Sequence, residues 1–175
     1  LKVVTQLVVD NLKAMKDAWA PNQDNYRKTF VADVSASIAD MFNGIGRLAK
    51  GEMSGERMGV PLALHAQEQE HSCFSDNTHR DLWLDMQGIV NVYNGQYKRT
   101  DGTTIKGLGL TDFVKAQNPG DDTKMQTLLA AAQQKLQAIE DNKPFDYLID
   151  GGNPTGNQIV QDGVLAVSAV ADWVT

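Results

Sequence analysis

The chain has 175 residues, of which 42% are hydrophobic and 22% are charged. This is the composition of an ordinary globular domain and excludes a largely disordered chain. Sixteen basic and 22 acidic residues give a net charge of -6, and an acidic surface repels phosphate, so nucleic-acid binding is not expected. No run approaches the ~20 apolar residues of a transmembrane helix. Cys73 is the only cysteine, so no disulfide forms within the chain.

Apolar residues recur at helical spacing in five segments. These segments span residues 1–19, 31–48, 82–97, 125–139 and 160–174. An isolated helix is marginal in water, so each apolar stripe is expected to pack into a common core. Gly44 and Gly46 interrupt the second segment, which indicates close helix packing or a kink. The pattern predicts an all-α fold, an antiparallel bundle of four to five helices.

One segment departs from the helical period. Threonines flank Asp101-Gly102 between Tyr97 and Ile105, and this dipeptide is typical of a type I′ hairpin turn. A small β-hairpin near residues 97–106 is therefore predicted, supported by the bundle because two strands alone are barely stable. A short helical turn is expected from Leu110 to Ala116.

The helical pattern is already under way at Leu1 and continues to Thr175, without a capping signal at either end. We therefore expect residues 1–175 to form a single helical-bundle domain that belongs to a longer precursor. A targeting signal for export would then lie outside these residues.

All three histidines, His65, His71 and His79, fall within one short segment that also carries Glu68, Glu70, Asp76 and Asp81. Imidazole and carboxylate groups together suit zinc, iron or manganese. Two known metal-site motifs are absent from the sequence. A zincin needs His-Glu-x-x-His, and a di-iron bundle needs two Glu-x-x-His pairs. A solvated polar loop is the alternative interpretation.

The run from Ser75 to Thr78 is a strong signal for the start of a helix, since its side chains can accept hydrogen bonds from free backbone amides. Ser75 or Asp76 is the predicted N-cap. His79 and Arg80 then lie in the first turn of the third helix.

The run Glu70-His-Ser-Cys-Phe-Ser-Asp-Asn-Thr-His-Arg-Asp81, followed by Gln87-Gly-Ile-Val-Asn-Val-Tyr-Asn-Gly-Gln-Tyr97, resembles the C-terminal half of imelysin-like proteins. It is most similar to the branch called iron-regulated protein A. The resemblance implies one of two helical bundles, with a cleft facing a missing N-terminal bundle. It also implies export to the periplasm or outer membrane and a part in bacterial iron uptake.

The resemblance implies that one segment lines the cleft. The expected cleft residues are Glu70, His71, Ser72, Phe74, Ser75, Asp76, Asn77, His79, Arg80 and Asp81. Four of these are candidate ligands for iron or zinc: Glu70, His71, Asp76 and His79. Ser75, Asn77 and Arg80 are expected to brace the loop.

The family's proposed metal motif, Gly-x-His-x-x-Glu, is absent from these residues. His65-Ala-Gln-Glu68 has its core, but Ala63 stands where the glycine belongs, so the chain carries at most half of such a site. The first hypothesis is therefore a cell-envelope component that binds iron or contacts an iron-transport component. The alternatives are a metallopeptidase, in which metal-activated water cleaves peptides, and a non-catalytic module that binds a peptide or protein.

Overall fold

The computed structural model describes all 175 residues. They divide into two compact units, Leu1–Met41 and Phe42–Thr175. The predicted all-α class is confirmed, since helices dominate and the only sheet is one antiparallel hairpin. No helix combines the length and the apolar character that a membrane span requires. The assignment of residues 1–175 to a single bundle domain stays a prediction.

The first unit contains α1 (Lys2–Ala18), α2 (Tyr26–Ala32) and the start of α3 (Val34–Arg47). The ring of Trp19 lies edge-on to those of Tyr26 and Phe30, with centroids 5.3 and 5.1 Å away. Helix α1 forms where its apolar period predicts it, but no residue of α1 is buried. The expectation that its stripe packs into the core is therefore wrong for these residues.

The second unit begins within α3 and continues directly into a π-helix at Leu48–Gly59. The remaining elements are α4 (Val60–Leu64), a 3₁₀ turn (Gln67–Gln69), α5 (Thr78–Asn94), β1 (Gln96–Lys98), β2 (Thr104–Lys106), α6 (Leu110–Gln117), α7 (Pro119–Asp141), α8 (Phe145–Ile149) and α9 (Pro154–Val174). The last three of the five predicted apolar segments correspond to α5, α7 and α9. The sequence pattern did not predict the π-helix, α4 or α8.

The core of this unit lies where α9 packs against the π-helix and α7, and where α7 packs against α5. The apolar residues of the predicted segment 125–139 that recur every three or four positions are buried in α7. These are Met125, Leu129, Ala132, Leu136 and Ile139. Leu82, Met86, Ile89 and Tyr93 of α5 are buried on the facing side. Burial of whole aliphatic side chains supplies ~1.5–3 kcal/mol each, so this contact positions α5 and everything attached to it.

Close packing, not a kink, accounts for one of the two glycines that interrupt the second apolar segment. A side chain at Gly46 would lie 3.1 Å from Cγ2 of Val174, whereas one at Gly44 would meet nothing within 4 Å. Gly59 has a similar role at the end of the π-helix, because a Cβ there would lie 2.7 Å from the Ser54 carbonyl oxygen.

The hairpin forms where predicted, but its turn differs. Tyr97 pairs with Ile105 and Lys98 with Thr104, and the Arg99 amide donates to the Thr103 carbonyl at 2.8 Å. A type I′ turn needs positive φ at both central residues, and only Gly102 has it, at φ 86. The predicted two-residue turn is therefore wrong. A three-residue loop replaces it, in which Asp101 accepts from the Thr103 amide and hydroxyl at 2.9 and 2.6 Å.

Candidate functional site

The histidine-containing segment connects α4 to α5. It leaves α4 through His65, which has φ 51 and ends the helix in the left-handed conformation. The His65 Nδ1–H donates to the Ile149 carbonyl at 2.7 Å. His65 thus ties the start of the segment to the end of α8, which is a structural role.

Helix α5 begins one or two residues later than predicted. The N-cap is Asn77, whose carbonyl accepts from the amides of Arg80 and Asp81 at 2.9 and 3.0 Å. Asp76 has φ 49, and this turn of the backbone precedes the helix, so neither Ser75 nor Asp76 is the cap. His79 still lies in the first turn, as predicted.

A network of polar side chains braces the loop on the solvent side. The Asp81 carboxylate accepts from Asn77 Nδ2 at 2.7 Å and from the Ser72 hydroxyl. The Ser72 amide in turn donates to Thr78 Oγ1 at 2.9 Å, and the Ser75 hydroxyl donates to the Ser72 carbonyl at 3.3 Å. Asn77 and Ser75 therefore hydrogen-bond within the loop.

On the inner side three ionisable side chains are withdrawn from solvent. Glu70 is 5% exposed and His79 is 9% exposed. His79 Nε2 lies 3.9 Å from Glu140 Oε2, and Arg80 Nη1 lies 3.8 Å from Glu140 Oε1. Glu140 comes from the end of α7, far along the sequence, and no local pattern marks it. Because 3.9 Å is too long for a hydrogen bond, His79 and Glu140 are neighbours that do not hydrogen-bond to each other.

Three buried atoms have no hydrogen-bond partner: Glu70 Oε1, His79 Nδ1 and Glu140 Oε2. A buried polar atom without a partner costs about 1–3 kcal/mol, and most folded proteins avoid it. Strained or unsatisfied groups of this kind concentrate at functional sites. We call His79, Glu140 and Arg80 the inner polar cluster. Glu70 carries the third unpartnered atom, and the carboxylates that act on its charge are Asp146 and Asp76.

The electrostatics of Glu70 reflect its burial. Desolvation raises the pKa of Glu70 above its usual range, and the nearby charges of Asp146 and Asp76 add to this, while the hydrogen bond from Thr78 opposes it. The charged form of Glu70 is therefore destabilised by folding.

Glu70→Gln is expected to raise the free energy of unfolding by about 1 kcal/mol at neutral pH, since it removes a disfavoured buried charge. A carboxylate with a raised pKa in the folded state destabilises above that pKa and costs nothing below its unfolded pKa. The stability advantage of Glu70→Gln over the wild type should therefore shrink as the pH falls through the raised pKa of Glu70. Urea unfolding at several pH values measures this, and a variant that is less stable than the wild type at neutral pH would contradict it.

His71 lies apart from the inner polar cluster. Its Nδ1 is 3.7 Å from Asp85 Oδ2, and both side chains are about one-third exposed. Burial raises the pKa of Asp85 and the neighbouring His71 lowers it, with the first effect dominant. The three histidines therefore contact three different partners: a carbonyl, Asp85 and Glu140.

Nowhere do three or more His, Cys, Asp or Glu side chains gather in a geometry that could hold a metal ion. His71 and His79 face different carboxylates, and Asp76 lies on an exposed turn. The metal site of Glu70, His71, Asp76 and His79 thus stays a prediction that these residues do not complete by themselves. Phe74, another predicted cleft residue, is fully exposed.

Beyond Arg80 the first turn of α5 opens into a groove of about 710 Å³. The Arg80 guanidinium lies over the Trp83 ring, 4.9 Å from its centroid. The groove continues along one face of α5 and is closed on its other side by the β-hairpin. We call it the α5 groove. Its polar residues, Gln87 and Asn91 among them, were not singled out by sequence reasoning, although both lie in the run that carries the resemblance.

Comparisons with known proteins show what this chain is similar to. The sequence model described as Imelysin matches residues 1–173. An imelysin peptidase from Bacteroides ovatus, solved by crystallography, is similar in structure with a TM-score of 0.65 and 19% sequence identity. The similarity covers 93% of this chain and 47% of that protein, so the chain spans about half the length of its structural relative. No curated protein matches the chain.

Proposed function

Because this chain belongs to the imelysin family, we propose that it is the C-terminal half of a cell-envelope protein that binds iron during bacterial uptake. The observation that carries the proposal is the inner polar cluster, with unpartnered atoms on His79 and Glu140. Buried groups of this kind are costly to keep, and an arriving ligand would compensate for the cost. The proposed location is the periplasm or the outer membrane.

The donors of the cluster suit iron as cargo. A neutral imidazole nitrogen and carboxylate oxygens are common iron ligands, and His79 and Glu140 already approach to 3.9 Å. Two donors do not make a complete metal centre, and no third ligand of these types joins them. The remaining ligands would come from the N-terminal half, from a chelator that carries the iron, or from water. These residues alone therefore fit one side of a shared site and not a self-contained catalytic metal.

An iron titration of the whole gene product tests the proposal. His79→Ala and Glu140→Gln are each expected to weaken iron binding by roughly 10–100-fold, the range seen when the immediate surroundings of a metal are disturbed. His71→Ala is the matched control, since its side chain contacts Asp85 outside the cluster, and it should leave the affinity unchanged.

Calorimetry with ferrous iron under anaerobic conditions gives the affinity, and elemental analysis gives the stoichiometry. Circular dichroism verifies that each variant remains folded. Iron binding that survives both His79→Ala and Glu140→Gln would remove the inner polar cluster from the site. If iron binding survives both of these changes but is lost in His71→Ala, the site lies at the His71–Asp85 pair.

A metallopeptidase is the second candidate function. Its support is the family itself and the similarity of fold to a protein known as an imelysin peptidase. No hydrolytic step can be assigned to this half, since it lacks three converging ligands. The whole gene product should then cleave unstructured peptides and lose this activity when a chelator is added. Absence of cleavage under conditions in which iron is bound would leave the first proposal standing alone.

A further inference from the structure

The α5 groove follows one stripe of the helix. Residues 80, 83, 84, 87, 88 and 91 line it, and these positions recur every three or four residues, so they share a face. The opposite wall is the hairpin face formed by Gln96, Lys98 and Thr104. From Arg80 to Asn91 the helix rises about 17 Å, so the groove is elongated rather than round.

A relay of side-chain amides crosses from α7 to this groove. Gln133 Nε2 donates to Gln87 Oε1 at 3.0 Å, and Gln87 Nε2 donates to Asn91 Oδ1 at 2.9 Å. Each amide uses its oxygen to accept and its nitrogen to donate, so the relay has a direction. The Asn91 oxygen is occupied, and Asn91 Nδ2 donates to no protein atom. The relay therefore orients the Asn91 amide so that its donor is the free group.

The lining of the groove is positively charged, although the protein as a whole is acidic. No aspartate or glutamate lines it, although the chain carries 22 of these residues. Lys98 forms no ion pair, and the Arg80 guanidinium is held between the Trp83 ring and Glu140 at its edge. Lys98 and the Asn91 amide are free donors, Arg80 shares its charge with Glu140 outside the lining, and the lining itself holds no carboxylate. This combination selects a ligand rich in acceptors and negative charge.

The dimensions favour an extended peptide over a small anion. A stretched segment of about five residues spans about 17 Å, and its side chains on one face repeat about every 6.7 Å. Gln87 and Asn91 are one helical step of four residues apart, a rise of about 6 Å, which nearly matches that repeat. Trp83 and Tyr97 add aromatic surface to the groove, on which a peptide backbone can pack.

We propose that the α5 groove binds an extended acidic peptide segment, with Arg80 and Lys98 pairing its carboxylates and Asn91 donating to its backbone. This activity does not depend on iron binding by the inner polar cluster. The groove occupies a different set of side chains, and only Arg80 borders both. Of the three, Lys98 and Asn91 can be changed without touching the cluster.

The test is a titration of the whole gene product, in the presence of EDTA to remove any metal contribution. The probes are a pentaglutamate and a pentaglutamine peptide, each acetylated at its amino end and amidated at its carboxyl end, with free glutamate and citrate as small carboxylates. The pentaglutamate peptide should bind at least about tenfold more tightly than the other three. Lys98→Gln should weaken it by at least about tenfold, the loss expected when a pair with a carboxylate is removed, and Asn91→Ala by up to about tenfold, the loss of a neutral hydrogen bond to the peptide backbone. Lys124→Gln, an exposed lysine of α7 outside the groove, is the control and should have no effect.

Circular dichroism of the variants separates lost binding from lost folding, since Lys98 lies on the surface and its change should leave the helices intact. Equal binding of the pentaglutamate and pentaglutamine peptides, or no binding of either, would overturn the proposal. If citrate binds as tightly as the peptide, the groove is a site for small carboxylates, and the proposal of a peptide ligand is wrong. Peptide binding that is unaffected by both Lys98→Gln and Asn91→Ala would place the peptide elsewhere on the protein. None of these outcomes affects the iron titration, so failure of the two proposals can be told apart.

Discussion

Gly109→Ala is expected to lower the free energy of unfolding by about 3 kcal/mol, at the upper end of the cost of overpacking. A Cβ at this position would lie 2.5 Å from the Asn94 carbonyl carbon and the Gly95 nitrogen, and 2.6 Å from the Tyr93 carbonyl oxygen. These are backbone atoms at the end of α5, so no side-chain rotation can relieve the overlap. The start of α6 would have to move away from α5.

The same contact closes the base of the hairpin. Gly95 ends α5 with φ 61, and its carbonyl accepts from the Gly107 amide at 2.8 Å. A displacement of Gly109 would therefore also displace the hairpin wall of the α5 groove, and Gly109→Ala should weaken acidic-peptide binding as well as stability.

Urea denaturation followed by circular dichroism measures the stability change. Gly107→Ala is the matched control, because a Cβ there meets nothing within 4 Å. It should change the midpoint little. Equal midpoints for the two variants would show that the junction of α5 and α6 is not as closely packed as the distances imply.

The helical core could be predicted from the sequence because its signal is local. Along α7 the apolar residues recur every three or four positions from Met125 to Ile139, and all of those predicted are buried. The same periodicity in α1 predicts a helix correctly but says nothing about its partner. The Val4 and Leu12 side chains there are each 65% exposed. The period of the apolar residues determines which face of a helix is apolar. Whether that face is buried depends on what packs against it.

The candidate site could be located from the sequence but not assembled. The resemblance singled out the run that holds Glu70 and His79, and burial now separates these two from the exposed Phe74 and Asp76. Glu140 had no signal, because its proximity to His79 results from the packing of α7 on α5. The amide relay has the same origin, since Gln133 reaches Gln87 only across that contact. Partners that are distant in sequence are set by tertiary packing and leave no local pattern.

The second large effect is expected at Asp122 of α7, which links α7 to α5 and α6. Its Oδ1 accepts from the Tyr93 hydroxyl of α5 at 2.9 Å and from the Thr111 hydroxyl of α6 at 2.7 Å. Lys115 Nζ lies 3.5 Å from Oδ2. Asp122 is 3% exposed, and Tyr93 and Thr111 are also buried. Asp122→Ala would leave two buried hydroxyls without an acceptor, and we expect a loss of about 3–4 kcal/mol.

The charge of Asp122 makes part of this stability depend on pH. Burial alone would raise the pKa of Asp122, but hydrogen bonds from Thr111 and Tyr93 and the charge of Lys115 outweigh it and lower the pKa below its usual value. A carboxylate with a lowered pKa in the folded state contributes stability that is present above its unfolded pKa and is lost as the pH falls through the folded value. Asp122→Asn removes the charge and nearly preserves the shape, so its stability deficit should be full at pH 7 and shrink below about pH 4.

Urea unfolding of the wild type, Asp122→Asn and the exposed neighbour Asp121→Asn between pH 7 and pH 3 tests this sign. The Asp121 variant should track the wild type closely, because a single exposed charge at a helix start contributes only ~0.3–1 kcal/mol. A deficit for Asp122→Asn that stays constant with pH would mean that the carboxylate acts through shape and hydrogen bonding alone. A deficit that shrinks on acidification would instead show that the ionised group holds α5, the helix that lines the α5 groove, together with α6 and α7.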